Sequence, residues 1–95
     1  LALMSAAPQG AKGELMSRVA ADPADHQARY DLSLVQAASG DLKGAVDSLL
    51  TIVTADREWN EQAARKQLLV VFEAAGATSD VARDGRRRLS SILFA

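Results

Sequence analysis

The chain has 95 residues, a formal net charge of −1, no cysteine and 4% aromatic residues. The missing cysteines exclude disulfides and thiol chemistry within it, and the near-zero charge excludes a general attraction to nucleic acid or anionic membrane. No apolar run approaches the ~20 residues needed to span a bilayer and no signal peptide is visible; the absence of cysteine leaves the compartment open, with the cytoplasm as default.

Abundant alanine, with no long Val/Ile/Thr alternation, predicts an all-α chain. Its length predicts one domain over residues 1–95. A domain this short buries only about 60–65% of its unfolded surface, so its margin of stability should be modest.

The chain opens on Leu1, and LALM breaks off into SAAPQG. Residues 1–10 therefore read as a connector or the end of an upstream helix, and the whole as the C-terminal fragment of a longer protein. A short helix is expected over Ala11–Ala21, with Leu15, Val19 and Met16 toward the inner side and Gly13 weakening it.

The next stretch, Asp22–Asp56, organises the rest. Asp22 and Asp25 flank Pro23, which predicts carboxylate capping with proline at the first helical position. Ala28, Leu32, Val35 and Ser39 then recur at helical spacing, with Leu34 and Ala38 widening the apolar stripe. Gly40 is placed to end this helix in a left-handed cap, and Asp41 to start the next. Leu42, Ala45, Val46, Leu49, Ile52 and Val53 form the second stripe. So short a turn makes the two helices antiparallel neighbours.

This spacing matches one helix–turn–helix unit of a tetratricopeptide array. With Gly40 and Asp41 set on the turn, Ser33 and Ala45 take the small positions, Leu32 and Leu49 the large apolar ones, and Pro23 the proline place of the preceding unit. Arg29 stands where an aromatic residue is usual, with Tyr30 beside it, and Arg57 stands where a closing proline is expected.

A second, degenerate hairpin is expected about 36 residues further on, with Gly76 in the place of Gly40. Asn60 is its expected N-cap. A helix over Glu61–Ala75 follows, with Ala64, Leu68, Val71 and Ala75 on one face and Leu69 and Phe72 beside it. Thr78 or Ser79 caps a fifth helix carrying Val81, Ala82, Gly85, Leu89, Ile92 and Leu93. Gly85 inside that helix implies a close approach to helix four. The expected fold is thus about five helices in antiparallel hairpins of tetratricopeptide type. So few units leave an apolar face near residues 1–21, for which self-association into a homodimer is the expected cover.

Nothing here predicts an enzyme. His26 is the single histidine and has no second ligand near it in sequence, so a surface position is expected and no metal site. The acid pairs Asp22/Asp25 and Glu58/Glu61 lie at helix starts, where capping explains them. There is no phosphate-cradling glycine loop, serine elbow or Cys–His pair, so no catalytic residue and no cofactor is assigned. Trp59 reads either as a plug between the hairpins or as a partner contact, with Arg57 stacked on it or paired with Glu61. The basic run Arg83, Arg86, Arg87 and Arg88 reads as a solvated face balanced by Asp80 and Asp84, or as a patch for an acidic peptide or protein. Nucleic acid ranks third, because no stacking aromatics accompany the arginines. In the closing segment Leu89 and Ile92 point inward, and Leu93 and Phe94 cannot both do so. An exposed Leu–Phe end beside basic residues would suit docking in another protein's groove.

Taken in order, ADPADHQARYDLSLVQAASGDLKGAVDSLL, REWNEQAARKQLLVVFEAAG and GRRRLSSILF resemble the C-terminal region of the bacterial thioredoxin-domain co-chaperones, the chaperedoxins. The resemblance implies an upstream thioredoxin-like domain, absent from these residues, and a protein that binds unfolded clients and passes them to chaperonin or Hsp70-type machinery. It implies chaperonin docking by the last helix, through Arg87, Arg88, Leu89, Leu93 and Phe94. Two readings follow: a chaperone-type interaction module, or a structural module for self-association or domain scaffolding with no client of its own.

Overall fold

The computed structural model describes residues 9–94, with side chains from residue 12 onward. The expected connector lies mostly outside the described residues. Five helices follow one another: α1 (Gln9–Ala21), α2 (His26–Ala38), α3 (Leu42–Ala55), α4 (Trp59–Ala75) and α5 (Asp80–Phe94). No strand occurs among the described residues. Each helix packs on the next; α5 also reaches back to α3, and α2 touches α4. The result is a helical-repeat stack in which α2/α3 and α4/α5 are the two hairpins and α1 covers the outer side of α2.

The turn of the first hairpin forms as its residues predict. Gly40 has φ +92°, its N–H donates to the Ala37 carbonyl at 3.1 Å, and that of Asp41 donates to Gln36 at 2.8 Å. This pair of bonds satisfies two carbonyls that the helix end would otherwise orphan. The Asp41 carboxylate then accepts the Gly44 N–H at 3.0 Å and starts α3. The second hairpin turns differently. Gly76 also has a positive φ, of 97°, but its N–H bonds to Glu73, three residues back. Two more residues pass before Ser79 Oγ accepts the Ala82 N–H at 3.1 Å and caps α5.

α3 is the centre of the core. Ala45, Val46, Leu49, Leu50, Ile52 and Val53 are all buried on it, and Leu68, Val71 and Phe72 meet them from α4. Small residues line the hairpin seam: Ser33 is 1% exposed and Ala45 0%. The Ser33 hydroxyl donates to the Tyr30 carbonyl at 2.6 Å. Buried Ser48 donates to Gln36 Oε1 at 2.8 Å and ties α3 to α2. Gly85 is buried against Phe72 of α4, as expected, and also against Val46 of α3.

Three expectations are corrected. Pro23 is not the first residue of α2. Asp22 Oδ1 accepts the Ala24 N–H in a tight turn, and Asp25 is the cap, accepting Ala28 N–H at 3.0 Å; α2 therefore begins at His26, less than one turn after Pro23. Leu34 and Ala38 are exposed rather than part of the buried stripe, since Ala28, Leu32 and Ser33 already fill the narrow face that α3 covers. Asn60 does not cap α4. Asn60, Glu61 and Gln62 have φ of 49°, 56° and 64°, a left-handed turn inserted before the right-handed helix. Such backbone costs roughly 1–2 kcal/mol per residue, least for asparagine, and persists where its two ends are pinned. Here Trp59 is held against α2 and Ala64 and Leu68 are locked in the core.

Candidate protein-docking surface

The basic run that stands out in the sequence is divided by the folded helix. Arg88 turns back to α3 and meets Asp47 at 2.8 Å, with Asp84 at 3.7 Å. Arg86 donates to the Ala77 carbonyl at 3.0 Å and lies 5.7 Å from the centre of the Phe72 ring, a cation–π contact. Arg87 pairs with Asp84. Arg83 is exposed on a shallow face shared with Asp80, Asp84 and Arg87. The four arginines therefore do not converge on one anion site. Two of them hold α5 in place, and the remaining two lie among carboxylates.

Electrostatics follow from these contacts. Burial acts to raise the Asp47 pKa, but the hydrogen bond from Arg88 and the charges of Lys43 and Arg88 outweigh it and hold the carboxyl below its ordinary value. Asp25 is also held low, chiefly by the Ala28 N–H and then, against slight desolvation, by Arg18, whose guanidinium is 3.1 Å away.

The apolar end of α5 is split in the same manner. Leu89 is 7% exposed and part of the core, so it is not offered to a partner. Ile92 and Leu93 are half-buried against that core. Phe94 is 84% exposed. Beside it a groove of about 290 Å³ opens between the end of α3, the α3–α4 connector, the first turns of α4 and the end of α5. Val53, Leu93 and Phe94 supply its apolar lining, and Arg57, Glu58, Gln62 and Arg65 its polar one. Arg57 neither stacks on Trp59 nor pairs with Glu61. Its Nη1 donates to the Leu93 carbonyl at 3.3 Å, closing the C-terminal end of α5.

Trp59 plugs the junction. It packs against the core, 5.6 Å from the Tyr30 ring and 6.1 Å, edge-on, from His26. His26 is accordingly half-buried rather than on the open surface, and its Nδ1 has no hydrogen-bond partner among the described residues. Reasoning from neighbours in sequence missed this, because the ring that covers His26 arrives from another helix. The expected capping by Glu58 is likewise absent: it precedes α4 without a side-chain bond to it.

Among the described residues no cluster of three acidic, histidine or cysteine side chains is placed to hold a metal ion, and no helix is long and apolar enough to cross a membrane. Stacked helical hairpins that carry an open aromatic, a groove of mixed lining and dispersed charge belong to the helical-repeat class of domain. The chain belongs to the tetratricopeptide-repeat family, whose model matches residues 5–94. Domains of that family mediate protein–protein interactions. No curated protein and no solved structure matches the chain at a significant level.

Proposed function

We propose that this domain is a non-catalytic docking module, the C-terminal part of a thioredoxin-like co-chaperone of the cytoplasm, which engages chaperonin or unfolded clients through the end of α5. The observation that carries the reading is Phe94, 84% exposed at a groove of mixed lining whose apolar part includes Val53 and Leu93. An exposed aromatic beside a pocket is the kind of anchor that concentrates binding energy at interfaces. Isothermal titration of the domain with chaperonin tests it. Leu93→Asp/Phe94→Asp should abolish binding, while Arg83→Gln, on the mixed-charge face, should leave it within about twofold. Unchanged binding by the double variant rejects docking through this end.

A second reading is favoured by a different surface. On α1 Met16 is 52% exposed, and Leu15 and Val19 are only half covered. That face suits self-association or the seating of a neighbouring domain, with no client involved.

A further inference from the structure

We propose that the groove beside Phe94 selects an acidic peptide segment carrying an aliphatic anchor, and that Arg57 and Arg65, rather than the arginines of α5, read its carboxylate. The inference rests on the docking role given above to the end of α5 and adds the chemistry of the partner.

Charge is the first argument. Among the described residues Arg18, Arg87 and Arg88 each have a carboxylate within 4 Å, whereas Arg57 and Arg65 have none. Among the described residues their side chains bond to neutral acceptors: Arg57 to the Leu93 carbonyl at 3.3 Å and Arg65 to Gln62 Oε1 at 3.2 Å. Both contacts are long for bonds made by a charged donor, and each guanidinium has five N–H groups. Most of that donor capacity, and the whole of the charge, stays available. Both line the same groove, where Glu58 is the single acid opposing them. The groove is thus locally positive on a chain whose net charge is −1.

Size and lining supply the second. At about 290 Å³ the groove sits at the bottom of the usual range for small-molecule pockets, about 300–1,000 Å³. It holds one or two side chains, not a cofactor. Val53 and Leu93 offer an aliphatic floor and Phe94 an aromatic wall. An apolar side chain on that floor leaves a neighbouring carboxylate in reach of a bidentate guanidinium, a strong and orientation-specific contact.

Two labelled synthetic peptides test this by fluorescence anisotropy and by NMR shifts of the intact domain: one alternating glutamate with leucine, the other glutamine with leucine. The acidic peptide should bind about tenfold more tightly and shift Leu93 and Phe94. Arg65→Gln, remote from the closing bond of α5, should remove most of that preference, and Arg57→Gln the remainder. Glu58→Gln should tighten the acidic peptide alone. Arg83→Gln/Arg87→Gln should change neither. Equal binding of the two peptides at Phe94 overturns the acidic preference while the docking end survives. Preference lost in Arg83→Gln/Arg87→Gln but kept in Arg65→Gln assigns recognition to the wrong helix face for this proposal and overturns it. Absence of any shift at Phe94 overturns the docking end as well, and concentration-dependent shifts there without peptide would show a second copy of the chain as the occupant instead.

Discussion

Gly85 is a position where one methyl group decides packing. A Cβ there would sit 2.9 Å from Phe72 Cζ and 3.3 Å from Val46 Cγ1. Neither neighbour can retreat, since each is 2% exposed. Overpacking of this kind costs about 1–3 kcal/mol, and alanine's better helix propensity returns at most about 1 kcal/mol. Gly85→Ala should therefore lower unfolding stability by about 1–2 kcal/mol in urea titration. Gly13 also lies in a helix but has open space around it. Gly13→Ala should raise stability by up to about 1 kcal/mol. Shifts of the same sign at both sites would refute the packing account.

Helix pairing is where charge contributes. Asp47 joins α3 to α5 through Arg88, and Asp25 joins the start of α2 to α1 through Arg18. Both carboxyls are held below the value of 3.8 that they return to on unfolding. Their contribution is complete above that pH and is lost as the pH falls through the lower, folded value, because the unfolded chain then takes up protons first. The thermal midpoint should fall as the pH drops below about 4, and Asp47→Asn should make that fall shallower; an unchanged acid slope would show that the α3–α5 pair is idle. The first hairpin was legible because Gly40 and Asp41 carry local signals: a residue that accepts positive φ, then a carboxylate that caps. Gly85 was legible as a close approach, although only one of its two neighbours was. The division of the arginines was not, since Asp47 lies 41 residues from Arg88 and nothing local pairs them. The left-handed turn at Asn60–Gln62 was hidden too. Glu61 and Gln62 are ordinary helix formers, and their conformation is imposed by the anchoring of Trp59 on α2. Of the candidate docking residues, Phe94 was legible as one of two that could not both face inward, while the groove beside it depends on Arg57 and Arg65, which no motif marks.

At the scale of the whole molecule, two hairpins and a leading helix fill 36 × 28 × 20 Å with a radius of gyration of 12.9 Å. That matches a compact globule of about 100 residues, about 13 Å, and not an elongated array. Each unit of a repeat protein covers its neighbour, and the outward side of α1 has no such cover among the described residues. Sedimentation velocity over a range of concentrations should show reversible self-association that Met16→Lys weakens; a monomer at every concentration would refute it. One bond also has a mechanical meaning. Arg57 sits in the connector between the two hairpins and donates to the Leu93 carbonyl near the tip of α5. Anything that seizes Phe94 therefore pulls on the connector between the two hairpins through this bond, as well as on the core through buried Leu89.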